Sequence, residues 1–186
     1  MSDVSFILEA FNNTDKLTKV KELNSKLSKW KYGVLINGKL ITDPDKVDWS
    51  QYRMHSLSDM NKYHAGICWD FVNYQHDAFT KMRVKDKSYM FVMQKSDNPD
   101  DIVTHTFSII TIDGKQYWFE SSWRKHQGLH EVDSYKDVVE VLKDSYGKDN
   151  PYDVYAYNPS GTIGMSNGKF FQHTTSTVPI FTTTKK

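Results

Sequence analysis

The stretch Ile102–Trp123 does most to limit what this chain can fold into. Val103 to Ile112 is rich in Thr, Ile and Phe, side chains that pack well on a pleated surface. Asp113-Gly114 supplies a two-residue turn, and Lys115 to Trp123 runs back. Such a hairpin commits the fold to an antiparallel sheet. It also sets a register: Ile112 faces Lys115, so, counting outward, His105 sits opposite Ser122. Glu120 is then diagonal to His105 on the same face, within reach of its long side chain. A slip by one residue would put Ser121 across instead.

The rest of the chain reads as helices and strands around that hairpin. Residues 14–31 are predicted helical, because Leu17, Val20, Leu23, Leu27 and Trp30 recur at steps of three and four, with Asn13 or Thr14 as cap. Lysines 16, 19, 21, 26, 29 and 31 fill its other side, as a solvated face or an anionic contact surface. Tyr32–Ile41 reads as two short strands around Asn37-Gly38, and residues 42–62 as a polar, turn-rich stretch broken at Asp43-Pro44-Asp45. Cys68 to about Thr80 suits a helix, with Cys68, Val72 and Gln75 on one face and Phe71, Tyr74 and Ala78 as an apolar stripe. Tyr89–Met93 and Tyr152–Tyr157 read as strands and Ser96–Asp101 as a loop. Residues 134–146 read as a helix with Val138, Val141, Leu142 and Tyr146 inward and Gly147 as its stop. The N-terminal helix and the tail 158–186 are expected at the periphery, the tail fraying or adding an edge strand near Val178–Phe181. The expectation is one α+β domain over residues 1–186, a cysteine-bearing helix packed on an antiparallel sheet. Hydrophobic residues reach only 38%, but 14% aromatics can supply the missing buried area.

Cys68 is the one cysteine of the chain, which excludes an intrachain disulfide and fits a reducing compartment. A thiol attacks as thiolate and needs help to ionise at neutral pH. Gly66 permits a tight turn into the helix, placing Cys68 in the first turn, where unpaired N–H groups and the helix dipole favour an anion. His105 can take the proton, and Glu120 can hold the imidazole in the right tautomer. Each residue also has a plain reading: a buried cysteine is ordinarily an inert small hydrophobe, and a strand histidine or a surface glutamate is commonplace. Their joint arrangement is what singles them out.

The order and surroundings of these residues resemble the transglutaminase-like superfamily of papain-type thiol enzymes. There a Gly-X-Cys-Trp turn opens a helix, and a histidine strand and an acidic strand form a hairpin ending in tryptophan. Here the corresponding segments are Gly66-Ile67-Cys68-Trp69-Asp70, Thr104-His105-Thr106-Phe107, and Tyr117-Trp118-Phe119-Glu120-Ser121-Ser122-Trp123. Together with Gly128-Leu129-His130-Glu131 they are similar to a group of such proteins from Firmicutes and their mobile elements. The resemblance covers roughly residues 50–145. It implies a papain-like fold, with Cys68 as nucleophile, His105 as base and Glu120 at the acidic position, where Glu replaces the commoner Asp.

An oxyanion hole is also needed. The Cys68 N–H is one natural donor; for the second, Tyr52 is favoured, with Gln51, Tyr63 and His64 chemically able. Trp69, Asp70 and Trp123 are expected to support the site from behind, Asp70 as a first-turn partner of the helix dipole. His126, His130 and Glu131 have metal-ligand spacing for a helix, but Gly128 weakens that helix and nothing completes the set, so no metal and no cofactor is expected. A net charge of +1 and the absence of a basic-aromatic strand argue against nucleic acid, and no run approaches a membrane span. Met1–Glu9 lacks a signal-peptide pattern, so a cytoplasmic location is expected. The expected activity is thiol-dependent acyl chemistry on a protein, peptide or small amide, hydrolysis ahead of cross-linking. The competing expectation is a catalytically silent module of the same fold that captures a host protein or small molecule. Peptidoglycan amide hydrolysis is weaker, for want of an export signal and wall-binding repeats.

Overall fold

The computed structural model describes residues 3–95, 98 and 101–183, with residues 3–14 by their backbone alone. Helix α1 (Asp3–Leu27) leads through a turn into strands β1 (Lys31–Tyr32), β2 (Val34–Ile36) and β3 (Lys39–Ile41). Then come α2 (Leu57–Tyr63), β4 (Ala65–Gly66), α3 (Cys68–Met82), β5 (Lys85–Gln94), β6 (Ile102–Ile112), β7 (Lys115–Glu120) and β8 (Gly128–Val132). Helix α4 (Tyr135–Tyr146), β9 (Tyr152–Tyr157), α5 (Asn167–Thr175) and β10 (Phe181–Thr182) complete the order. Among the described residues six strands form one sheet, β10-β9-β5-β6-β7-β8, and every neighbouring pair is antiparallel. The chain is therefore α+β, with Cys68 on a helix beside an antiparallel sheet.

The central hairpin has the register its turn demands. Ile112 pairs with Lys115 and Ser108 with Phe119, around Asp113 (φ 55°) and Gly114 (φ 77°), a turn that tolerates positive φ at both positions. Beyond Ser108 the two strands part. β7 stops at Glu120, short of the expected Trp123, because the Glu120 carboxylate accepts the N–H groups of Ser122 (2.7 Å) and Trp123 (2.9 Å) and curls the chain around itself. His105 and Ser122 therefore never pair. The opening left between the strands lies beside His105.

Alternation along β6 feeds two cores. Ile110 and Ile112, with Phe119 of β7, pack on Val20, Leu23 and Leu27 of α1 and Phe71 and Phe79 of α3. Phe107 and Ile109 pack on the other side with Phe91, Trp118 and residues Val138 and Leu142 of α4. Side chains of this kind each contribute roughly 1.5–3 kcal/mol when fully buried. A third cluster gathers Tyr52, Met54, Ile67, Cys68, Trp69 and Phe170 around the start of α3.

Several expectations need correcting. α1 passes through positions 13 and 14, so neither is an N-cap, and their side chains lie outside the described residues. The helix ends at Leu27; Trp30 is a separate anchor, edge-on to Tyr74 at 4.9 Å. With Val20, Leu23 and Leu27 buried, this element is part of the core rather than peripheral. The polar stretch 42–62 hides α2, capped by the Ser56 hydroxyl on the Asp59 N–H. The tail also contributes more than an edge strand: α5 places Phe170, fully buried, 4.5 Å from Trp69. β10 does pair with β9 at the sheet edge. The loop expected at Ser96–Asp101 falls largely outside the described residues. Among the described residues no helix is long and apolar enough to cross a membrane.

Candidate active site

Cys68 occupies the first position of α3, after Ile67 as N-cap. Asp70, fully buried, fixes that end of the helix. Its Oδ2 accepts the Ile67 N–H (3.0 Å), and its Oδ1 accepts the His55 N–H (2.8 Å) and the Tyr52 hydroxyl (2.9 Å). The His55 ring adds an ion-pair contact, Nδ1 3.0 Å from Oδ2, without the alignment of a hydrogen bond. The carboxylate thus complements the helix dipole and ties the 52–55 loop to the turn that opens at Cys68. Gly66 serves closeness of approach rather than an unusual turn: it lies in β4, and a Cβ there would stand 2.9 Å from both the Asp70 Cβ and the Met60 Cε.

Three side chains converge where β6 and β7 part. His105 Nε2 donates to Glu120 Oε2 at 2.8 Å, which leaves Nδ1 as the nitrogen for the thiol. Glu120 Oε1 accepts from Ser122 N–H (2.7 Å), the Ser122 hydroxyl (2.8 Å) and Trp123 N–H (2.9 Å), so the carboxylate is fully saturated. Where β7 no longer pairs with β6, the Thr106 backbone lies beside Cys68 and favours its charged form, while the Thr106 hydroxyl is buried without a hydrogen-bond partner among the described residues. Burial pushes the thiol pKa up, but contact with His105 and its charge, then Thr106, outweigh it, and the net direction is down. For His105 burial acts downward, yet the Glu120 charge and the Cys68 contact raise it to about 10. Burial pushes Glu120 up, and the His105 charge and the bonds around the carboxylate bring it below its ordinary value. All three directions favour the charged form of the group concerned.

Gln75 on α3 holds helix and sheet at this spacing, accepting from the Ser108 hydroxyl (2.8 Å) and donating to Ser121 Oγ (2.6 Å). Trp123 stands edge-on to the His105 ring at 5.7 Å and is stacked on its far side against Tyr146, also at 5.7 Å. Trp69 packs between Phe170 and the edge of Tyr52.

The oxyanion candidates Tyr52 and Gln51 are not placed for that task. Tyr52 is wholly buried with its hydroxyl proton committed to Asp70, and Gln51 is exposed and donates to Asp48 Oδ2 (2.7 Å). His64 is packed against Trp30. The residue at the sulfur is Tyr32, which sequence reading passed over. Its residue surface is 45% exposed, yet its hydroxyl is turned inward, where burial, then the charge and contact of Cys68, hold its pKa well above ordinary. The hydroxyl lies beside both the backbone and the sulfur of Cys68 and interacts with each. Parallel pairing of β1 with β4, Tyr32 against Gly66, carries it there. A tyrosine two residues before Val34 at a strand end gave no signal beyond its residue type.

Cys68 itself is 4% exposed, and what it shows opens on a cleft of about 610 Å³ lined by Tyr32, Trp49, Trp69, Ile102 and Phe171 among others. His126 lies in a single 3-10 turn and His130 on β8, so the helix their metal-like spacing required does not form. Among the described residues no group of three or more His, Cys, Asp or Glu side chains could hold a metal ion. No protein-family model matches the chain, and no curated protein matches it.

Proposed function

We propose that this protein is a thiol-dependent acyl-transfer enzyme acting on an amide, of papain-like, transglutaminase-like type. The observation that carries the reading is the Cys68–His105–Glu120 chain, with its sulfur at the floor of an open cleft. The Cys68 thiolate attacks the amide carbon, and the carbonyl electrons move onto oxygen. The Cys68 N–H and the Tyr32 hydroxyl lie close together, two donors suited to receive that oxyanion. Collapse of the adduct breaks the C–N bond as His105 hands its proton to the leaving amine, and a thioester remains. Water then attacks the thioester, His105 takes its proton, and the acid leaves as the thiolate returns. Glu120 keeps the imidazole oriented and its charge balanced throughout.

The test is alkylation by iodoacetamide. Cys68 of the folded chain should react faster at neutral pH than the same cysteine in denatured protein, with Cys68→Ala as the blank. Equal and slow reaction in both states would leave the silent binding module, which the 4% exposure of Cys68 favours, as the better reading. Tyr32→Phe separates the two halves of the mechanism. It should lower kcat roughly 10²-fold by removing one oxyanion donor, while KM and the alkylation rate change little. A kcat within twofold of the native value would take Tyr32 out of the chemistry.

A further inference from the structure

We infer that the cleft above Cys68 selects substrates with a positive charge on an aliphatic stem beside the amide under attack, a lysine- or arginine-like side chain, and that Asp45 reads that charge. The inference rests on Cys68 being the nucleophile and adds what the substrate must look like. Among the described residues two formally charged side chains line the cleft, Asp45 and Asp101, and both are acids. They are not equivalent. Asp101 is paired with Lys95 at 2.5 Å, so most of its charge is answered. Lys46, the cation next to Asp45 in sequence, is held by Asp43 at 2.8 Å instead. Among the described residues Asp45 has no ion pair. The backbone beneath it is fixed, because Pro44 opens the 3-10 turn Pro44–Lys46 and the Asp45 N–H bonds to the Asp43 side chain at 3.2 Å.

The buried chain below adds to this field. A Cys68 thiolate, a His105 imidazolium and a Glu120 carboxylate sum to one negative charge. The walls suit the stem: Tyr32 and Trp49 keep 45% and 38% of their surfaces exposed at the cleft, and aromatic faces attract alkyl ammonium and guanidinium groups. Trp69, 6% exposed, adds a third aromatic wall, its indole N–H buried beneath the surface without a hydrogen-bond partner among the described residues. A cationic side chain carried on a peptide or amide answers both features, whereas a free metal cation answers only the first.

Matched methanethiosulfonates test this on the full-length chain, since all three react at the sulfur and differ in charge: aminoethyl (cationic), methyl (neutral) and sulfonatoethyl (anionic). The cation-to-anion rate ratio in the folded protein should exceed that of denatured protein about tenfold. Asp45→Asn should bring it most of the way back, and Asp45→Lys should invert the preference, while the rate with the neutral reagent holds. Rapid neutral labelling with the same charge ratio in native protein and Asp45→Lys overturns the inference and leaves the nucleophile standing. Neutral labelling no faster than in denatured protein sinks both.

Discussion

Replacing His105 with glutamine is expected to lower turnover by about 10²–10⁴-fold, the usual worth of a positioned acid–base group, while the protein stays folded. Glutamine keeps an N–H that can reach Glu120 Oε2, so the buried carboxylate is not stripped of its donor. What it cannot do is accept the thiol proton. In the native protein the His105 contact and charge are the largest influences opposing burial at Cys68. Without them burial prevails, the thiol pKa rises above an ordinary thiol's, and the pH profile of alkylation shifts to the alkaline side. Thr106 and the helix N-terminus remain and leave a small residual reactivity. Following iodoacetamide rates against pH checks this. Superimposable profiles for native and His105→Gln protein would mean that the imidazole does not govern the sulfur.

That relay was legible in the sequence because it depends on local rules that short segments obey. The Asp-Gly turn sets the hairpin register as far as Ser108–Phe119, and carrying that count onward brought Glu120 near His105, where the two side chains do bond. The helix opening at Cys68 followed from apolar spacing. What escaped is what depends on contacts far apart along the chain. Tyr32 reaches the sulfur only because β1 pairs with β4, a two-residue ladder that no periodicity announces. The commitment of Tyr52 to Asp70 was equally hidden, and it turned a proposed oxyanion donor into a structural strut. α5 was lost in a Ser/Thr-rich tail because its one fully buried large residue, Phe170, gains its meaning from Trp69 a hundred positions earlier. The shortening of β7 also came from tertiary chemistry: Glu120 draws in two N–H groups that a continuing strand would have presented to a neighbour.

In the proposed mechanism Glu120 serves fold and chemistry together, and Glu120→Ala is expected to cost about 3–5 kcal/mol of stability, the range for breaking a buried ion pair from one side. The substitution leaves His105 as a buried cation without its partner, and it orphans the Ser122 and Trp123 N–H groups. The loss should depend on pH in a way that identifies its source. Glu120 has a depressed folded pKa, so its contribution is present above the unfolded carboxylate value near ~4.3 and fades as pH falls through the lower folded value. His105 is raised to about 10, so its contribution is complete below the unfolded imidazole value near ~6.5 and fades as pH rises toward the folded one. The gap between native protein and Glu120→Ala should thus be widest between roughly pH 4.5 and 6.5 and narrow on both sides. Urea unfolding across that range measures it. A constant gap at every pH would show that Glu120 matters only for the hydrogen bonds that end β7, and not as the counter-charge that keeps His105 protonated beside Cys68.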